Sequence, residues 1–211
     1  VSAWVEKNQT VWGQVKTEEK SNEITAIPKL LEMLALQGCI VTIDAMGCQK
    51  KIAEDIVDRG ADYVLSLKGN HETMAHEVEL FFEGALESKW KDVPHSYHET
   101  TDKGHGRLEV RRYFVTSDIA WFVDRLQWKG LGSFGMVESE RHVRGEVTRE
   151  RRFYISSLSG SDAAMFAKAV RSHWGIENKL HWVLDMAFRE DECRMRKDHS
   201  AENFAILRHI A

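Results

Sequence analysis

The chain has 211 residues, 43% of them hydrophobic and 29% charged, with 29 Lys and Arg against 33 Asp and Glu for a formal net charge of -4. That balance fits a globular protein and excludes both a disordered polar tail and a surface that is basic all round. No run of about 18 apolar residues occurs, so no membrane-spanning helix is predicted; Cys39, Cys48 and Cys193 form no CxxC pair, which excludes a disulfide framework and structural zinc and, with no signal peptide at the start, points to a reducing cytoplasm.

Taken in order, Val1–Lys7 and Thr10–Lys16 read as two strands joined by a polar Asn8-Gln9 connection. Ser21 or Asn22 can cap a helix whose apolar residues run from Ile24 to Leu36, with Pro28 tolerable only near its start and Gly38 as its C-terminal cap. Cys39–Ile43 is a short β-branched run, the mark of a buried strand, and it ends on Asp44. A helix over Lys50–Arg59 follows, closed by Gly60. A second buried strand, Ala61–Leu67, ends on Lys68-Gly69-Asn70 and leads into a helix from His71 to Gly84. Alternating strands and helices predict parallel strands with helices packed on them. Ligands in such sheets sit beyond the carboxyl ends of the strands, where Asp44 and Lys68 lie. A lone Asp in that position also suits a turn or a helix cap.

From about Leu86 to Arg152 the helical period fades. Strands are predicted at Arg107–Thr116, Phe134–Val143 and Arg149–Ser157, with turns at Gly104–Gly106, Gly130–Gly135 and Arg144-Gly145. Arg141, Arg144, Arg149, Arg151 and Arg152 make this a basic stretch, open to two readings: a solvated hairpin or a surface for phosphate. Ser161 or Asp162 can cap the next helix.

Val170–Asp191 then reads as one long amphipathic helix. His173, Glu177, His181, Asp185 and Arg189 recur every four residues, while Phe166, Val170, Trp174, Val183 and Ala187 supply an apolar side. A stripe of His and carboxylate is either a solvated face or, turned inward, a metal site. Zinc coordination by His173, Glu177 and His181 lacks the usual spacing of two His four apart. Asp44 at a strand end and Glu177, 133 positions later, can instead share divalent metal, as two-metal phosphoryl-transfer sites do.

The segments Ser21–Pro28, Ile40–Gly47, Gly60–Leu65 with Lys68–Asn70, Gly104–Arg107 with Glu109 and Arg111, Tyr154–Leu158, and His173–Glu177 with Leu180–Trp182, Leu184-Asp185, Phe188 and Glu190-Asp191 resemble, in the same order, the insertion-sequence transposases of the ISAs type. That group includes proteins associated with the H repeat of enteric bacteria. The resemblance covers nearly the whole chain. It implies a DDE transposase: an α/β, RNase H-like core with a mixed sheet flanked by helices and a β-rich insertion. It implies Mg²⁺ (or Mn²⁺) as cofactor, double-stranded DNA at transposon ends and target as partner, self-association in a transposition complex, and no membrane. Carried over by motif, Asp44 is the second catalytic Asp and Glu177 the catalytic Glu, both metal ligands. Residues 1–85 are then the first part of the core, 86–152 the insertion and 153–211 the last strand and the Glu-bearing helices.

Two departures accompany the resemblance. The family's first Asp lies on a strand upstream, in an Asp-Gly-Lys setting that does not precede the first hairpin here. Val1 in place of Met, and a helix still under way at Ala211, fit a piece of a longer protein. The wider signature Tyr-x2-Arg-x3-Glu-x6-Lys falls on Val170, His173, Glu177 and Leu184, so only the Glu is kept. Lys68, Arg107, Arg111, Arg144, Arg151, Arg171, His173 and His181 are the candidates for DNA contact, with Asp185 and Asn70 as further site candidates. With one carboxylate missing, activity is expected to be impaired. The alternative is a non-catalytic module that binds DNA or full-length transposase.

Overall fold

The structure, a computed structural model, describes residues 1–15, 23–104, 106–189, 192–194 and 200–210; of residues 177, 178, 181, 201, 202, 206, 209 and 210 it describes the backbone. The expected cap at Ser21 or Asn22, the end of the second strand at Lys16, His105, and Glu190-Asp191 lie outside the described residues. The chain divides into two compact units, Val1–Ala35 with Arg171–Ala211, and Leu36–Val170.

In the first unit, β1 (Ser2–Val5) and β2 (Thr10–Gln14) pair antiparallel, with a bulge between Ala3 and Trp4. Helix α1 (Glu23–Glu32) buries Ala26, Ile27, Leu30 and Leu31. Gly13 of β2 sits against it so closely that a Cβ there would lie 2.9 Å from Leu30 Cδ1. The helix stops at Glu32, short of the Leu36 expected from periodicity. Gly38 is no cap for it: at φ +74 its N–H donates to the Gly60 carbonyl at 2.9 Å, tying together the turns that precede two strands of the second unit.

The second unit is built on a six-stranded mixed sheet: β3 (Ile40–Ile43), β4 (Asp62–Leu67), β5 (Ser96–Gly104), β6 (Arg107–Thr116), β7 (Ser133–Val143) and β8 (Glu146–Ser156). The spatial order is β3-β4-β8-β7-β6-β5. β3 and β4 are parallel, joined through α2 (Lys50–Asp58), as the alternation of strand and helix predicts. β4 then pairs antiparallel with β8, and the rest is an antiparallel meander. The strands of the β-rich stretch therefore hydrogen-bond directly into the sheet that carries β3.

Half of this sheet is covered on both faces. Tyr113, Val115, Val137 and Tyr154 meet Phe166, Ala167 and Val170 of α4 (Ala163–Gly175) on one face. On the other, Phe82 of α3 (Glu72–Glu87) meets Phe153, and Trp90, Trp121 and Phe122 close over Phe114 and Phe134. Asp162 caps α4 by accepting the Met165 N–H at 2.9 Å; Ser161 does not. The other half, from Arg112, Glu138 and Arg152 outward, is exposed or half-buried apart from Glu140.

The expected single helix over Val170–Asp191 is corrected by the structure. The α-helix ends at Gly175, a π turn follows over Ile176–His181, and α5 (Trp182–Met186) is short. A strict spacing of four drifts by about 40° per step on an α-helix. A π turn, with its i to i+5 bonding, takes up that excess locally. A last helix, α6, covers Ser200–Ile210. Among the described residues no helix is long and apolar enough to cross a membrane.

Candidate active site

The carboxyl ends of the parallel pair β3 and β4 form the first cluster. Asp44 follows β3, exposed, and its Oδ1 accepts the N–H groups of Met46 at 3.1 Å and Gly47 at 3.3 Å. This is an Asx-type turn, the local bonding that makes Asp common after strands. It occupies one carboxylate oxygen. Among the described residues Oδ2 accepts no hydrogen bond, so a hard oxygen donor faces outward at the strand end, and this donor type fits a Mg²⁺-class cation.

Two side chains from the turn after β4 reach across to the Asp44 turn. Asn70 Nδ2 donates to the Ala45 carbonyl at 2.6 Å, and His71 Nε2 meets the Cys48 carbonyl at 2.6 Å. Lys68 is exposed at the same strand end and has no ion-pair partner among the described residues. Beside His71 opens a pocket of about 410 Å³ lined by Lys50, Glu72, Glu77, Phe122 and Trp128 among others.

The second cluster is the π turn. Glu177 lies on it, between Gly175 and Lys179. Lys179 Nζ donates to Glu6 Oε1 at 2.8 Å, and Trp4 Nε1 donates to Glu6 Oε2 at 3.0 Å. Gly175 is buried against that carboxylate; a Cβ would meet Glu6 Oε2 at 2.6 Å. The Lys179 bond first, then Trp4, hold the Glu6 carboxyl below its ordinary range. Arg171 is exposed and His173 half-buried at the end of α4; Asp185 is exposed on α5. Asp44 belongs to the second unit and Glu177 to the first. Among the described residues no three His, Cys, Asp or Glu side chains gather as a metal-ligand set.

The third cluster is the uncovered half of the sheet. On one face Arg112 reaches Glu99 at 3.1 Å, Glu138 at 3.2 Å and Glu140 at 3.3 Å, while Arg151 meets Glu138 at 3.0 Å and Arg149 meets Glu140 at 2.9 Å. On the other, Glu109 takes Arg107 at 3.1 Å, Arg141 at 3.6 Å and Arg111, which also holds Asp102 at 2.7 Å. Most of the basic stretch is thus neutralised by cross-strand carboxylates, an arrangement that stabilises sheet pairing. Arg144 is the exception. It sits at the tip of the β7–β8 hairpin at φ +51, next to Gly145 at φ +88, and has no ion-pair partner among the described residues.

The sequence singles out Asp44, Lys68, Asn70 and Glu177 as candidates, and the structure places the first three at the ends of β3 and β4 and Glu177 on the π turn. Sequence reading passed over His71, Glu6, Gly175 and Lys179. His71 stands directly beside the Lys68–Asn70 motif, which was the available signal; nothing local to Glu6 announces a partner 173 positions away.

The sequence profile of the family described as "Transposase DDE domain" matches residues 2–211. The chain is 42% identical to the "H repeat-associated putative transposase YhhI" of Escherichia coli strain K12 over 216 residues, covering 100% of this chain and 56% of that protein. It is 44% identical to the "Putative transposase YncI" of Escherichia coli O157:H7 over 215 residues, covering 100% of this chain and 54% of the relative. An "Uncharacterized protein in dhlA 3'region" of Xanthobacter autotrophicus is 41% identical over 155 residues, 74% of this chain. The chain spans about half the length of these curated relatives.

Proposed function

The chain belongs to the transposase DDE-domain family, and we propose that it is the part of a DNA transposase that supplies the second catalytic Asp, Asp44, and the catalytic Glu, Glu177, for strand cleavage and strand transfer at transposon ends. The observation that carries this reading is the Asp44 carboxylate at the end of β3, one oxygen fixed by two backbone N–H groups and the other open.

Asp44 and Glu177, with the upstream Asp of the family, would hold the divalent metal, Mg²⁺ or Mn²⁺. When bound, such ions activate a water or 3′-hydroxyl and stabilise the leaving oxygen. The chain's own contribution is placement. The Asx turn limits the rotation of the Asp44 carboxylate, and the π turn sets the backbone on which Glu177 stands. Lys68 and Arg144, cationic and without ion-pair partners among the described residues, suit the DNA backbone, as do Arg171 and His173 at the end of α4. Self-association and a cytoplasmic setting accompany this reading.

The test is nicking of double-stranded transposon-end DNA, with Mg²⁺, by the polypeptide that carries this chain. Asp44→Ala and Glu177→Ala are expected to reduce nicking to background while gel-shift affinity for the same DNA persists. Nicking that survives Asp44→Ala overturns the assignment. DNA binding without any nicking in the unsubstituted polypeptide makes it a holding module instead.

A further inference from the structure

We propose that Asn70 and His71 are positioning residues for Asp44, a role that rests on the reading of Asp44 as a metal-binding carboxylate. The parallel register Ile43↔Leu65 brings the ends of β3 and β4 level. Beyond it, Ala45–Gln49 must turn into α2 while presenting the Asp44 carboxylate. The Asx bonds fix Asp44 to its own turn but do not fix the turn to the sheet.

That second task falls to the turn after β4. Gly69–His71 form one 3-10 turn, which fans successive side chains outward. Asn70 takes the Ala45 carbonyl and His71 the Cys48 carbonyl, so the Asp44 turn is held at both ends, with Met46 and Gly47 between. A carbonyl only accepts, so His71 donates from Nε2. Its ring in turn packs on that of Trp128 in a T-shaped contact, centroids 5.3 Å apart at 75°. The brace therefore runs from Trp128 through His71 to the backbone around Asp44. Outer groups that orient a metal ligand are worth about 10- to 100-fold in metal affinity. Asn70 is exposed and His71 half-buried, so neither is needed to fill the core.

The experiment is a Mn²⁺ titration of the isotope-labelled chain, following paramagnetic broadening of the Met46 and Gly47 amide signals. Asp44→Asn is expected to abolish the broadening. Asn70→Ala and His71→Ala are expected to raise the Mn²⁺ concentration at half-effect by about tenfold or more, with core amides such as those of Tyr113 and Phe166 unmoved. His71→Gln, whose amide N–H reaches as far as Nε2, is expected to restore the wild-type midpoint; His71→Asn, which is shorter, is not. Should either alanine variant lose the wild-type spectrum, the Gln and Asn pair decides. Wild-type titration by Asn70→Ala and His71→Ala, with Asp44→Asn silent, overturns the positioning role and leaves the Asp44 assignment standing. Undiminished broadening in Asp44→Asn overturns both.

Discussion

Glu6 and Lys179, 173 positions apart, meet at 2.8 Å, joining the end of the first hairpin to the π turn that bears Glu177. The pair holds the Glu6 carboxyl below its ordinary value of 4.5, Lys179 being the larger cause and Trp4 the next. A depressed carboxyl stabilises the fold above its unfolded value, and the contribution is lost as pH falls through the folded value. Both side chains are more than a third exposed, so solvent screening keeps the pair below about 1 kcal/mol. Lys179→Met is expected to lower urea-unfolding stability by less than that at neutral pH, and to match wild type in acid and in high salt. An equal deficit at every pH would mean that packing, not charge, is what was lost.

Gly135 on β7 faces the ring of Phe166. A Cβ at Gly135 would lie 2.4 Å from Phe166 Cζ, and Phe166 is only 1% exposed, so the ring has nowhere to go. Gly135→Ala is expected to destabilise by about 1–3 kcal/mol, the usual result of overpacking. Adding Phe166→Leu should recover part of that loss, a coupling that a double-mutant cycle measures. Strict additivity of the two changes would refute the contact.

Glu140 accepts His142 at 2.7 Å, Arg149 at 2.9 Å and Arg112 at 3.3 Å, and these bonds, in that order, pull its pKa down to about 2. Its contribution is fully present above the ordinary value of 4.5 and lost as pH falls towards 2. Acid titrations of wild type and Glu140→Gln, read as urea midpoints, are expected to be separated above pH 4.5 and to converge towards pH 2. Parallel curves through that window would rule out the ion cluster as the cause.

Among the basic residues of the uncovered sheet, Arg144 and Arg151 differ in commitment. Arg151 is held by Glu138 at 3.0 Å, whereas Arg144 has no such partner among the described residues. On the proposed DNA-binding reading, Arg144→Ala is expected to weaken DNA binding and to reduce the salt slope by about 1. Arg151→Ala should change the slope little. The same slope change from both would show that the cross-strand ion pairs open on DNA.

Much of this was legible in the residues themselves. The apolar run Tyr63–Leu67 gives a strand that is buried almost throughout, as continuous apolar sequence predicts; the β-branched run Ile40–Ile43 gives a strand too, but not the buried one expected, because β3 ends the sheet order and Ile40 is exposed with Val41, Thr42 and Ile43 half-buried. β5, Ser96–Gly104, was not anticipated. Its sequence, SYHETTDKG, has almost no apolar alternation, and its charged side chains are met from β6, where Arg112 takes Glu99 and Arg111 takes Asp102. A strand held by charge on its neighbour is silent until the neighbour is known. The helix over Val170–Asp191 misled for a related reason. Its four-residue spacing is compatible with a face on an α-helix over one or two turns, and only the backbone reveals that a π turn absorbs the drift. In the basic stretch Arg141, Arg149 and Arg151 are neutralised by Glu109, Glu140 and Glu138, each on a neighbouring strand, a pairing that a count of charge along the sequence does not reveal.

The register of β4 sets a delay during synthesis. Its partner on one side, β3, precedes it, so Thr42↔Val64 can form as soon as both have been made. Its partner on the other side is β8, where Val64 meets Ser156. At about 5–20 residues per second the ribosome takes roughly 5–18 s to make the intervening stretch. Throughout that interval the second edge of Tyr63–Leu67 is bare and apolar, a template for pairing with another nascent chain. Among the strands with a partner on both sides, β4 thus waits longest for its second one, and a chaperone on the emerging chain would protect it first.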